Sequence, residues 1–399
     1  MLSLLLNSAI AGPFALEADG YGQVDFGWHD YGADQTGQGG SPPDSRLVFD
    51  QTRFVLELEG EAEGGWAFEA ELEVEHGGTG AALELEFEEF GEYENEVEAG
   101  GEVVLEQLFL AKSVGPHVTV KAGRLYVAFG QLYTAHRPTD LVALRRPEAE
   151  ITVVPATWDE MGLSVELRRP SFELTGQVVN SLDSTGFSSQ SWVASGHQRR
   201  FEEVRATSLA GVFRVDFVAV SGLVAGTSAW FGGTTGNRPK ADMAGVFAPL
   251  LLVDAHIALN RGPLRANGAL IWGSLSEAPL ISEKNRRLSN NLDVLRSPVA
   301  NQGLAAWVEV GVDVLPAGGH RLEPHLRLQR YDTMFRTDES IFDNPRFERT
   351  VSTAGLAYST RDTVAVSLDA QRRVLGSDEF RPEHSVLLSF GFIYQTRTS

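Results

Sequence analysis

Side chains along this chain alternate between apolar and polar with a period of two residues from near its start to near its end, and few folds accommodate that pattern. In Trp66 to Glu75, one parity holds Trp66, Phe68, Ala70, Leu72 and Val74, and the other holds Ala67, Glu69, Glu71, Glu73 and Glu75. A pleated strand sends successive side chains to opposite faces, so this segment separates an apolar surface from a carboxylate surface. The rhythm returns at Val24-Phe26-Trp28, Phe54-Leu56-Leu58, Leu163-Val165-Leu167, Leu264 to Trp272, Leu304 to Val314, Leu322 to Leu328 and Val386 to Tyr394. Turn residues punctuate it, helix-period stretches are scarce, and about 16 strands are expected because closure of a single-chain barrel favours an even number. No change in composition marks a second domain, so residues 12–399 read as one all-β unit.

Alternation alone does not distinguish a soluble sandwich from a barrel in lipid. Two features favour the barrel. Trp28, Trp66, Trp158, Trp230, Trp272, Phe392 and Tyr394 fall at strand ends, as in the aromatic girdles of two lipid interfaces. Tight connections at Arg169-Pro170 and Arg261-Gly262-Pro263 alternate with long polar ones at 181–203, 274–301 and 331–349, the asymmetry of periplasmic turns and external loops. The amphipathic stretch Ser385 to Gln395 supplies a closing strand. No apolar run reaches the roughly 18 residues a membrane-spanning helix needs. The first eleven residues, a short Leu-rich stretch ending in Ala9-Ile10-Ala11, read as a truncated secretory signal. These features place the chain in the outer membrane of a Gram-negative-type bacterium, with lipid as its surroundings.

The formal net charge is −21, from 54 acidic and 33 basic residues, a field that repels nucleic acid. Cys is absent, which excludes disulfides and thiolate-metal sites. Residues 57–98 contain 16 Glu, mostly at alternate positions of three consecutive strands. Buried unpaired carboxylates cost several kcal/mol each, so this face is expected in water. Glu69, Glu71, Glu73, Glu84 and Glu86 form the expected acidic wall of the lumen, which would attract cations or hold Ca²⁺ weakly; a merely solvated face is the plain alternative. Arg321, His325 and Arg327 share the lumenal parity of a later strand and form a basic wall. Closure brings the last strands beside the first, so a field running across the pore is expected.

Between Lys121 and Pro170 alternation lapses into a long stretch rich in Arg and Pro, and a loop of that length inside a regular barrel points to function. Gly123-Arg124-Leu125, Phe129-Gly130, Arg146-Pro147 and Trp158-Asp159-Glu160-Met161-Gly162 resemble motifs of the phosphate-selective porin (O/P type) family. The resemblance covers about an eighth of the chain. It implies a 16-stranded, trimeric transmembrane antiparallel β-barrel with a long loop folded into the lumen. It also implies a constriction near Arg124, Tyr133, His136, Arg137, Arg145, Arg146 and Glu148. Phosphate itself does not carry over, because Lys is scarce and Glu abundant. The loop arginines have a second reading as partners of Glu148, Glu150, Asp159 and Glu160 that hold the loop to the wall.

The nine His are scattered, with no H-E-x-x-H and no G-x-S-x-G turn, so no catalytic residue, metal site or cofactor is expected and the chain is read as no enzyme. His136 with Asp140 and His256 with Asp254 are the pairs closest to catalytic spacing. The expected function is ion transport or passive diffusion of small hydrophilic solutes through a water-filled barrel. The alternative is a barrel enzyme, or a structural barrel with an occluded lumen.

Overall fold

The structure, a computed structural model, describes residues 14–33, 43–86, 94–197, 203–288, 295–315, 318–360 and 363–395, without the side chains of 14, 32–33, 43–44, 79–86 and 94–100. The eleven residues read as a signal lie outside the described residues. Sixteen antiparallel strands form one closed barrel in which each pairs with its neighbours in sequence. The first four are β1 (Phe14–Ala33), β2 (Pro43–Ala62), β3 (Trp66–Glu86) and β4 (Glu94–Val114). Next come β5 (Val118–Tyr126), β6 (Asp159–Arg168), β7 (Phe172–Asn180), β8 (Leu209–Phe217), β9 (Leu223–Gly233) and β10 (Pro249–Arg261). The circuit ends with β11 (Leu264–Leu275), β12 (Gln302–Val312), β13 (His320–Arg336), β14 (Glu348–Thr360), β15 (Val364–Leu375) and β16 (Glu383–Gln395). β16 meets β1 from Asp19↔Gln395 to Asp30↔His384, so the C-terminal amphipathic stretch closes the ring.

Register shows why this sequence must face lipid. One row of cross-strand partners runs Ala266, Val310, Leu326, Ala354, Ala370, Val386, Trp28. One residue away, the neighbouring row runs Asn267, Glu309, Arg327, Thr353, Gln371, Ser385, His29. The first row points outward and the second inward: Val310 and Leu326 are exposed, whereas Glu309 and Arg327 are buried. A one-residue slip would exchange the rows, so pairing is tightly specified. Leu270, Phe213 and Leu368 are each more than half exposed, at 51%, 56% and 54%. An apolar exterior around a polar interior, with no sheet edge, is the solution a strand protein has in hydrocarbon.

A first prediction follows for that belt. Leu270→Arg, at a lipid-facing position of β11, is expected to cost about 2–4 kcal/mol near the bilayer midplane. Urea titration of the barrel refolded in vesicles measures it. A change within about 0.5 kcal/mol, usual for a water-exposed surface, would mean that this face does not meet lipid.

Connections at one end are short, such as 63–65, 115–117, 169–171 and 262–263, and those at the other are long, such as 127–158, 181–208, 234–248 and 276–301. By the usual asymmetry of such barrels the short end is periplasmic. The interior departs from a simple water-filled tube. On the side of β7 to β14 the inner wall is covered by the connection 127–158, whose Val127, Phe129, Leu132, Leu141, Val153 and Val154 pack on Trp230, Leu250, Leu252, Ile271 and Trp307. Connection 181–208 adds Leu182, Phe187 and Trp192, and the helix α2 (Ala278–Asn285), beyond a first helix α1 (Glu148–Val153) in connection 127–158, adds Ala278 and Ile281. Trp192 lies over wall glycines: a Cβ at Gly273 or Gly303 would stand 2.4 or 2.6 Å from its ring.

Two expectations are corrected here. Trp158 and Trp230 are not interface aromatics, since they are buried inside the barrel with ring centroids 5.7 Å apart. Trp28, Trp66 and Phe392 are exposed on the outside. The acidic face is not uniformly in water either, because Glu71 and Glu73 are buried.

Candidate functional site

Local sequence fixes how the long connection enters the lumen. β5 ends at Tyr126, and Gly130 turns the chain with φ +76°, where a Cβ would press on the Glu150 carboxylate at 2.4 Å. Only glycine suits both conditions. Pro147 precedes α1, its fixed φ suited to a helix start, and Glu148 and Glu150 occupy the first turn, where acids favour the helix dipole. Glu150 then ties the loop to itself and to the wall, accepting from the Leu132 N–H at 2.9 Å and the Trp307 indole at 2.7 Å.

Seen around the barrel, the loop is bonded to nearly every sector of the wall. Gln177 of β7 accepts from the Ala128 N–H at 2.8 Å, and Arg214 of β8 donates to the Gly130 carbonyl at 2.6 Å. Glu309 of β12 accepts from the Val142 N–H at 2.9 Å, and Gln329 of β13 from the Ala149 N–H at 3.1 Å. Glu148 pairs with Arg373 of β15 at 2.6 Å. Burial opposes charge on Glu148, but Arg373 and Arg349 outweigh it and hold the carboxyl below its ordinary range. Across the lumen, Arg137 reaches Asp19 of β1 at 3.0 Å and Glu57 of β2 at 2.8 Å, and Arg145 reaches Asp25 of β1 at 3.1 Å. This last set is a seam of ion pairs between loop and wall, its arginines half-buried and its carboxylates half-buried or buried, unlike the apolar packing on the far side.

The loop thereby divides the polar interior in two. An inner chamber of about 370 Å³ is lined by Glu57, Glu59, Glu69, Lys121, Glu166 and Glu173 among others, all near the short-turn ends of their strands. An outer chamber of about 400 Å³ is lined by His29, Arg53, Arg145, Arg146, Glu148 and Arg373 among others and lies toward the long loops. The two share no lining residue.

Each residue expected at the constriction or walls has a definite place. Arg124 pairs with Asp159 at the start of β6. Tyr133 lies 5.0 Å beneath the Arg214 guanidinium. His136 stacks on Tyr126 at 4.4 Å and donates through Nε2 to the Tyr133 carbonyl; burial and the nearby Arg146 push it down to about 3, so the ring is neutral. Arg146 donates to Thr157 at 2.6 Å. Glu69 and Glu71 accept from Gln107 at 2.9 and 2.8 Å and line the inner chamber. Glu73 is buried instead at mid-height, and the side chains of Glu84 and Glu86 lie outside the described residues. Arg327 is neutralised by Glu309, the Nε to Oε2 distance being 3.0 Å, and His325 lies in hydrogen-bond contact with Asp369 at 2.7 Å; Arg321 is half-buried near the periplasmic end of β13. Acidic and basic lining thus differ along the axis as well as around the wall, the inner chamber's carboxylates lying mostly on β2, β3 and β6 to β8 and the outer chamber's arginines on β2, the loop, β13 and β15.

Sequence reading missed Asp19, Asp25 and Arg53. Their signal was available in parity, because Asp19, Tyr21, Gln23, Asp25 and His29 occupy the odd, inward positions of β1. The catalytic-looking pairs resolve as structure. Asp140 binds the Arg137 N–H at 2.8 Å, not His136. His256 is held by Asp254 and Asp216, each at 2.6 Å, with Arg214 bridging from Asp216 to the loop. Ser228 donates to Asp254, so the hydroxyl has a carboxylate and not an imidazole as its partner. Among the described residues no group of three or more metal-binding side chains is present.

No family model matches the chain. An uncharacterized protein of Aquifex aeolicus is 24% identical over 199 residues, which is 49% of this chain and 42% of that protein, so the match spans less than half the length of that relative. Solved structures share the architecture. The outer membrane channel DcaP of Acinetobacter baumannii superposes with TM-score 0.56 at 12% identity, covering 97% of this chain and 99% of DcaP. An anion-selective porin from Comamonas acidovorans gives 0.54 at 9%, with 96% and 100% covered. The trimer form of OmpT, an outer membrane protein of Vibrio cholerae, gives 0.53 at 9%, with 96% and 100% covered. The fold is therefore that of outer-membrane porins. The expectation that the chain is no enzyme is corrected by the same comparison. OmpT and the other neighbours share the fold alone at such identities, and a shared fold neither assigns nor excludes catalysis.

Proposed function

We propose that this protein is an outer-membrane channel for small hydrophilic solutes or ions, assembled as a homotrimer, with connection 127–158 as its selectivity element. The observation that carries the reading is the polar seam. Arg137 and Arg145 of the loop face Asp19, Asp25 and Glu57 between two polar chambers, while the opposite side of the loop is sealed by apolar packing. Charged side chains lining a narrow passage set size and charge selectivity. The trimer rests on the Vibrio cholerae OmpT trimer form, at the level of fold. The phosphate-selective type stays a resemblance in four short motifs, and the solute class is set by the charges in the two chambers.

A second reading has its own observation. Loop bonds to β1, β2, β7, β8, β12, β13 and β15, with no lining residue common to the two chambers, favour a barrel whose resting lumen is closed. Recording in planar bilayers separates the two. Stepwise current openings from the purified protein support the channel, and a silent membrane containing correctly folded barrel supports the closed lumen.

A further inference from the structure

We infer that the two chambers make the pore an ionic rectifier, which passes more current when the periplasmic side is positive than when the external side is. The inference rests on the channel reading. It comes from an axial imbalance of fixed charge. Eight carboxylates and three cations line the inner chamber, and three carboxylates and five arginines line the outer one. Ion pairs temper both counts. In the inner chamber Glu57 is bound by Arg137 and Glu166 by Lys121, at 2.8 and 2.7 Å. In the outer chamber Arg145, Arg327 and Arg373 are bound by Asp25, Glu309 and Glu148. The outer chamber is therefore close to neutral, and the inner one keeps an excess of carboxylate through Glu59, Glu69 and Glu173, which are less buried than Glu71. The step in charge along the axis sets the direction of the effect, whatever small net charge the outer chamber carries.

Fixed negative charge enriches mobile cations near it and excludes anions, and a potential of one kT changes a local ion concentration about threefold. With the periplasmic side positive, cations gathered in the inner chamber are driven outward, and anions drawn inward accumulate where the inner chamber refuses them. Both kinds of ion build up in the outer half and its conductance rises. With polarity reversed, cations leave the outer half through the cation-enriched inner chamber, and too few anions cross that chamber to replace those departing outward. The outer half is depleted and the current falls. The loop between the chambers sharpens the step, because it keeps the two charge environments from merging.

The test uses the full chain in planar bilayers. Because the sequence contains no Cys, Ser340→Cys places one thiol on the exposed connection after β13, and biotin with streptavidin added to one compartment reports orientation. In about 0.1 M KCl, where the screening length of about 10 Å is comparable to the lumen, the periplasm-positive current is expected to exceed the opposite current at least about twofold. At about 1 M KCl, with screening near 3 Å, the ratio should approach one. The triple variant Glu59→Gln, Glu69→Gln, Glu173→Gln should lose the rectification at low salt while still opening. A linear current–voltage relation at low salt, the opposite sign, or rectification that survives both high salt and the variant would overturn the inference and leave the channel standing. A silent bilayer would remove the channel reading and this inference with it. The salt dependence of the unmodified chain is decisive even if the variant does not fold.

Discussion

Glu309→Gln, with Arg327 left in place, is expected to destabilise the folded barrel by about 3–5 kcal/mol, the usual cost of stranding one partner of a buried ion pair. The carboxylate is fully buried on β12 and gathers four donors. It accepts Arg327 through Nε at 3.0 Å, Asn267 at 2.8 Å and the Val142 N–H at 2.9 Å, and the second guanidinium contact is at 2.5 Å. Removing its charge leaves Arg327 uncompensated and weakens the attachment of the loop to the wall. Glu309→Gln combined with Arg327→Met should cost less than Glu309→Gln alone, since no buried charge is then left over. Urea unfolding of the two variants in vesicles gives the comparison. If the single change proves as mild as a surface substitution, Glu309 is reached by water and the interior is more open than the packing implies.

Arg137→Ala with Arg145→Ala is expected to raise single-channel conductance severalfold while leaving the barrel folded. These two side chains bridge from the loop to Asp19, Asp25 and Glu57 over the β1–β2 sector, where the loop meets the wall through ion pairs at the edge of polar space. Neither arginine is fully buried, so stability should change far less than for Glu309. The freed carboxylates would also shift selectivity toward cations, which reversal potentials across a salt gradient detect. Unchanged conductance in the double variant would move the passage elsewhere; the same variant of a silent barrel becoming conductive would favour the closed resting lumen.

How much of this was legible beforehand differs from element to element. The strand at Trp66 to Glu75 could be read directly, because only a pleated ribbon with lipid on one side tolerates Leu72 exposed and Glu71 inward. The loop announced itself by a lapse in alternation, and its Gly130 and Pro147 by conformational need. What it touches was hidden. Trp230 and Trp158 carry the composition of interface residues, and parity could not tell whether the inward side of β9 met water or the apolar residues of the loop. The axial part of the charge separation was hidden for a related reason. Strand order says which walls are adjacent, yet the height of a charge depends on how far each residue lies from its strand's end, and Glu59 and Arg373 sit at opposite ends.

By itself the sequence determined the strand count, the inside-out polarity and the existence of an inserted loop. Each is a local consequence of side-chain alternation, or of its interruption, along a backbone that must satisfy its hydrogen bonds in hydrocarbon. Tertiary structure alone decided which arginine meets which carboxylate, which Trp turns inward, and that acidic and basic linings separate along the axis. Those outcomes depend on where the loop comes to rest among distant strands, a matter of three-dimensional packing that no periodicity encodes.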